Sequence, residues 1–311
     1  MAAVRWIGDA AAPPTGPSRS RSGLRRLLGN AARPSPSTGQ RPKSRCGGYV
    51  AACEATIARI SPNARVFHVS HDVPVGDVAS AALVLARVTP LYPEAVHLAV
   101  VDPGVGTSRR PVALGTTRGD FLVGPDNGLL PDAAAALGGL TGGWALDMSR
   151  VRILAGLPPE EVSTTFHGRD LFAPASALLA AGVDPHSLGE SIDAATLVRL
   201  APVRVQTADG GILTPVIEID RFGNVGLGLP FADLPVGTET DFVVEVVGDG
   251  TPEWTARMVR TYADLAPGDL GLFRDSWGQA ALALNGASAA EFLGVRRGIV
   301  LRLMPSTAVR S

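Results

Sequence analysis

A short, mostly apolar run at residues 96–101 stops at Asp102-Pro103-Gly104. An apolar run of that length ended by a Pro/Gly turn reads as a strand buried on both faces. In an open α/β sheet, ligands bind beyond the carboxyl ends of the strands, and Asp102 falls at that point. Arg109 closes the same short loop. A second island, residues 163–170 (Ser-Thr-Thr-Phe-His-Gly-Arg-Asp), offers the imidazole of His167 just before an apolar helical run. An acid, a guanidinium and an imidazole are enough to activate a water.

The chain around these islands alternates strands and helices. Apolar spacing predicts helices at 49–60, 78–88, 131–137 and 171–181. Strands are predicted at 66–70, 96–101, 111–115 and 121–123. That alternation implies a mostly parallel sheet with helices on both faces. Beyond residue 201 the pattern changes to strands at 203–205, 213–219, 242–247, 254–261 and 299–303, with one short helical piece at 288–293. The second half therefore reads as an all-β barrel or sandwich. The expected division is a leader at 1–47, an α/β domain at 48–199 and a barrel-like domain at 200–311.

Charge separates the leader from the rest. Residues 1–46 carry eight Arg and Lys43 against Asp9 alone, while the whole chain has a net charge of -1. The leader, rich in Arg, Ser, Pro and Gly, reads as disordered, as a transit-peptide-like segment or as a wrongly assigned start. The near-neutral total implies no general nucleic-acid or membrane-surface field, and no apolar run is long enough to span a bilayer. Cys46 and Cys53 are too few for a disulfide framework, which suits a reducing, cytoplasmic setting. His68 and His71 invite a metal reading, but on a regular strand their odd spacing puts them on opposite faces, so no metal is expected. The Gly104-Val105-Gly106 stretch lacks the lysine of a phosphate loop.

Five segments taken in order carry more than any one alone: residues 100–110 (VVDPGVGTSRR), 123–130 (VGPDNGLL), 164–174 (TTFHGRDLFAP), 218–225 (EIDRFGNV) and 276–294 (SWGQAALALNGASAAEFLG). Together they resemble the S-adenosyl-L-methionine (SAM) hydroxide adenosyltransferases, relatives of the fluorinase and chlorinase. The resemblance spans roughly residues 48–305. It implies an α/β domain followed by a β-barrel-like domain. It also implies a homotrimer with active sites between subunits, and cleavage of SAM to adenosine and methionine without metal or cofactor.

Residue by residue, the resemblance assigns the catalytic roles to Asp102, Arg109 and His167. Substrate contacts fall to Phe166, Asp220, Phe222, Asn224, Ser276, Asn285 and Gly286. Trp277 stands where the halogenases have an arginine, and it receives no role. In the halogenases the position of Asp102 resembles a tyrosine, and that of His167 is not histidine. A carboxylate beside a halide repels it, so water is the expected nucleophile.

One part of the pattern departs. The family opens with an apolar strand ending in an acid that binds the ribose hydroxyls. Counting back from residue 49 places that strand at about 35–47, where there is neither an apolar run nor an acid. The expectation is that the first strand is missing, with Asp9 too far upstream to replace its acid. A SAM-binding relic without turnover is then the alternative function, and a halogenase the more remote one.

Overall fold

The computed structural model describes residues 3–9, 48–158, 160, 162–208, 210–235, 241–248 and 253–306. Two compact units emerge, Met1–Leu200 and Ala201–Ser311.

The first unit is built on a seven-stranded sheet. Its strands in chain order are β1 (Ala3–Asp9), β2 (Arg65–Val73), β3 (Val96–Val100), β4 (Pro111–Thr116), β5 (Phe121–Pro125), β6 (Leu140–Leu146) and β7 (Gly189–Ser191). They lie in the order β2-β1-β3-β5-β4-β6-β7. The pairings β2–β1, β1–β3 and β3–β5 are parallel, and β4 and β7 run against the rest. The helices are α1 (Tyr49–Ile60), α2 (Val78–Val88), α3 (Pro131–Ala136), α4 (Met148–Leu154) and α5 (Ala173–Ala180). Alternate residues of β3 feed opposite cores. Leu98 packs with Cys53 and Ile57 of α1 and Leu178 of α5. Ala99 packs with Ala81 and Leu85 of α2 and Ala133 of α3. The predicted α/β layering is the observed one, and it follows from a strand that is apolar on both faces.

Two expectations need correction. A strand ahead of α1 is not missing. Ala3–Asp9 occupies the place between β2 and β3, pairing Val4 with Val66 on one side and Val96 on the other. Reading 1–47 as a leader therefore fails for its first residues, and the rest of that segment, 10–47, lies outside the described residues. Counting back from α1 does not reach this strand, because Asp9 ends β1 some forty positions before α1 begins.

The second correction concerns His68 and His71. The register steps from Trp6↔His68 to Ile7↔Ser70, so β2 has one residue more than β1 at Val69. Such a bulge resets the side-chain alternation. The two imidazoles meet, with Nδ1 of His68 2.8 Å from Nε2 of His71, and Nε2 of His68 lies 2.7 Å from Glu54 Oε1. Among the described residues, no group of three or more His, Cys, Asp and Glu is arranged to hold a metal.

The second unit is a closed barrel. It contains β8 (Gln206–Ala208), β9 (Gly211–Ile219), β10 (Val225–Pro230), β11 (Phe242–Val246), β12 (Trp254–Met258), β13 (Leu270–Arg274), β14 (Gln279–Leu284), α6 (Ala289–Leu293) and β15 (Val300–Pro305). The ring runs β9-β10-β14-β13-β12-β11-β15 and returns to β9, leaving β8 as a hairpin partner of β9. Closure removes the sheet edges that an open β domain must protect. Its interior is filled by Phe242, Val244, Leu272, Leu282, Leu301 and Leu303. The strand expected at 203–205 is extended chain, and pairing begins at Gln206. Among the described residues, no helix is long and apolar enough to cross a membrane.

The central place of β1 has a direct test. Ile7→Pro removes a ladder N–H from a strand flanked on both sides, and a buried group left unpaired costs about 1–3 kcal/mol. Thermal unfolding followed by circular dichroism is expected to show a lowered midpoint; an unchanged midpoint contradicts the placement of the strand.

Candidate functional site

Asp102 follows β3 directly, after the fully buried Val101. The loop that leads from it to Arg109 is closed by its own bonds. Val105 N–H donates to the Asp102 carbonyl at 3.2 Å, and both Thr107 N–H and Thr107 Oγ1 donate to the Gly104 carbonyl, at 3.1 and 2.7 Å. Gly106 is required twice over. Its φ is +79°, and a Cβ there would stand 3.0 Å from the carbonyl oxygen of Thr164. That close approach brings the first island against the second.

The loop returns Arg109 onto Asp102. Arg109 Nε donates to both carboxylate oxygens at 3.0 Å, and Nη2 donates to Oδ2 at 2.5 Å. The pair is nearly dry, with side chains 9% and 6% exposed. The guanidinium also lies over the Phe172 ring, 5.2 Å from its centroid. Cation–π contact of this kind strengthens as water is excluded. Removing one partner of a buried ion pair strands the other, at about 3–5 kcal/mol.

The same Nη2 lies 2.9 Å from Nδ1 of His167. A guanidinium only donates, so Nδ1 accepts and the neutral ring carries its proton on Nε2; this tautomer is assigned from the hydrogen-bond network. Burial and the Arg109 charge push the His167 ionisation below its ordinary value, against a smaller upward pull from Asp102 and Asp170. The imidazole is held neutral. The three candidate catalytic residues thus form one connected cluster.

Local structure fixes His167. It immediately precedes a π-helical turn, Gly168–Phe172, that leads into α5. Pro174 has no N–H to give to the helix ladder, and the widened turn lies just before it. Asp170 anchors this segment by accepting from Ser163 N–H at 2.8 Å and from Arg169 Nε at 2.6 Å. Burial opposes its ionisation, but those bonds outweigh burial and hold the carboxyl below the usual range. Phe166 meets the Tyr49 ring edge-on at 4.7 Å and carries Arg169 5.1 Å above its own face. Asp170 and Phe172 were not singled out in the sequence. Their charge and apolarity read there as part of an ordinary helix.

The Pro-Asp-Asn-Gly turn at 125–128 supports the crevice from below. Asn127 Nδ2 donates to the Val101 carbonyl at 2.9 Å, and Asp126 is paired with Arg110 at 2.6 Å.

In the second unit, an open cavity of about 400 Å³ is lined by Asp220, Asn224 and Ser276, together with Tyr262 and Trp277. The Asp220 carboxylate folds its turn inward. It accepts from Phe222 N–H at 2.8 Å, Asn224 N–H at 3.0 Å and Asn224 Nδ2 at 2.8 Å. Phe222 projects from the tip, 65% exposed, with the Arg221 guanidinium 4.7 Å from its ring centroid. Asn285 and Gly286 are not among the lining residues. Asn285 Nδ2 donates to the Leu265 carbonyl at 2.6 Å, and its backbone N–H donates to the Asp269 carbonyl at 3.1 Å. Tyr262 went unremarked in the sequence because it sits just past a predicted strand. Its hydroxyl lies 3.4 Å from Asn224 Nδ2.

Comparison with known proteins identifies the family of the chain. Residues 45–189 match the SAM hydroxide adenosyltransferase N-terminal domain, and residues 214–302 match the C-terminal domain of the same family. A protein of Salinispora tropica named (R)-S-adenosyl-L-methionine hydrolase is 45% identical over 259 residues, covering 82% of this chain and 92% of that protein. A fluorinase of Actinoplanes is 28% identical over 281 residues, covering 81% and 91%. A crystal structure of an uncharacterised conserved protein from Thermotoga maritima superposes with a TM-score of 0.73 at 30% identity, covering 83% of this chain and 95% of that one. The chain belongs to the SAM hydroxide adenosyltransferase family.

Proposed function

We propose that the chain hydrolyses S-adenosyl-L-methionine to adenosine and L-methionine by attack of water on C5′. The observation that carries this reading is the connected Asp102–Arg109–His167 cluster, built on a nearly buried Asp102–Arg109 pair, in a chain whose relatives include a named SAM hydrolase. In the reaction the oxygen of water bonds to C5′. The C5′–S bond breaks with its electron pair going to sulfur, and one proton is released. The leaving group is a neutral thioether that needs no acid, so the demand falls on the nucleophile.

Arg109 stabilises developing hydroxide charge through its fixed guanidinium. Asp102 has three of its roughly four acceptor positions filled by Arg109, and the remaining one takes the proton of the water. His167, with its Nδ1 lone pair committed to Arg109, offers Nε2–H to orient the water. Hydroxide meeting a sulfonium cancels charge, so a site that excludes water favours the step.

Asp220, Asn224 and Ser276 hold the amino-acid and adenine portions of SAM, and Tyr262 offers an aromatic face to the base. Phe166 lines the reacting end. Asp9, the last residue of β1, is the candidate for the ribose-binding acid that the family resemblance calls for. Any adenine contact at Asn285-Gly286 falls to Gly286, since the Asn285 amide is committed to Leu265. SAM is the substrate, with no cofactor or metal in the scheme. The exposed Phe222, Tyr262 and Trp277 are consistent with a homotrimer in which a neighbouring subunit covers this face. A cytoplasmic setting fits Cys53, a buried free thiol whose ionisation burial pushes up to about 12.

A halide nucleophile is disfavoured by the Asp102 carboxylate, which would face it in a nearly dry site.

Purified protein incubated with SAM is expected to release adenosine and methionine in equal amounts. Asp102→Ala is expected to lower kcat by about 10²- to 10⁴-fold. No adenosine above the level of that variant contradicts the assignment. The pH profile is a second check. Neutral His167 is the working form, and burial and the Arg109 charge push its ionisation below the ordinary imidazole value, so the acid limb of kcat/KM is expected on the acid side of that value; a limb above it contradicts the neutral ring. Asp102→Asn removes a charge that raises the His167 pKa, and NMR titration is expected to find that imidazole titrating still lower.

A further inference from the structure

In helix α4 a charged residue faces in while its apolar neighbours face out. Arg152 is 3% exposed, whereas Ile153 and Leu154 are 63% and 47% exposed. That inverts the usual division of a surface helix, whose apolar stripe faces the core. Burying a guanidinium is costly unless polar partners meet it, so the partners show what the position is for.

The Arg152 fork spans two pieces of chain. Nε and Nη2 both donate to the Pro158 carbonyl, at 2.8 and 2.5 Å. Nη1 donates to the Asp170 carbonyl at 3.3 Å and stands 3.7 Å from Asp170 Oδ1. In a regular α-helix the carbonyl of residue 170 accepts from the N–H of residue 174, and Pro174 has no N–H to give. Arg152 supplies a donor at that point of the π-helical turn.

The two ends of the fork bracket His167, with Pro158 ahead of it and Asp170 three residues after it. Between them, Ser163 N–H donates to Asp170 Oδ2 at 2.8 Å, and Asp170 N–H donates to the Phe166 carbonyl at 3.1 Å. Arg169 holds the same carboxylate from the half-exposed side. We propose that Arg152 is a positioning residue for the reaction: by tying Pro158 and Asp170 to α4, it fixes the chain on both sides of His167 and keeps the imidazole on Arg109. It acts through Asp170 and takes no part in the attack on C5′. Its kinetic consequence rests on the hydrolase reading, and its effect on His167 rests on the geometry alone.

The test uses Arg152→Lys, which keeps the charge without the planar fork, and Arg152→Met, which keeps neither. One readout is kcat and KM for SAM, and the other is the NMR titration of His167 in the ligand-free protein. In both variants kcat is expected to fall about 10- to 100-fold, the scale of a misplaced catalytic group. KM is expected to change little, and Arg152→Lys to be the milder variant. His167 faces Arg109, Asp102 and Asp170, and burial and Arg109 hold its ionisation down. A ring released from that contact is therefore expected to titrate higher, closer to its ordinary value. A merely structural arginine would lower the thermal midpoint and move neither readout of the folded protein. A His167 titration that does not rise, or a kcat that does not fall, overturns the proposal. If Arg152→Met does not fold, Arg152→Lys decides by the same criteria. If the wild type releases no adenosine, the hydrolase reading fails. The titration then decides alone, a rise supporting the tie and an unmoved ring overturning it.

Discussion

The Arg109 guanidinium is the contact on which the candidate site depends. It joins a loop after β3 to a segment 58 residues later, and it does so in a place almost free of water. Each contact of that group has a consequence. The bonds to Asp102 balance its charge and fix the carboxylate. The bond to His167 selects a tautomer and keeps the ring neutral. The Phe172 face covers the guanidinium with an apolar surface. A lysine could neither span both oxygens nor stack in this way.

The sheet delivers these parts to one end. β1, β3 and β5 run parallel as neighbours through β3, so their carboxyl ends open on the same side. Asp9 and Asp102 mark the ends of adjacent strands. Helix α5 comes to the same end through its π-helical start, with His167 at the head of that turn.

Much of this was legible in the chain. β3 declares itself by being apolar on both faces, and α1 and α2 fall where apolar spacing puts them. The grouping of Asp102, Arg109 and His167 followed from motif order. What was hidden has physical reasons. β1 is seven residues long, and only its partners in the sheet distinguish it from other short apolar pieces in a basic segment. The His68–His71 contact depends on a bulge that alternation cannot foresee. β10, with Gly226 and Gly228 alternating with Val225, Leu227 and Leu229, lacks the β-branched run that signals a strand, and β14 (Gln-Ala-Ala-Leu-Ala-Leu) reads locally as helix. Ring closure, rather than local preference, makes both of them strands.

The central claim is that the oxygen delivered to C5′ comes from water. Turnover of SAM in ¹⁸O-enriched water, with chloride present, tests it by mass spectrometry of the nucleoside. The account predicts adenosine carrying one solvent-derived ¹⁸O, and methionine carrying none. Unlabelled adenosine, or a 5′-chloro nucleoside in its place, would contradict it.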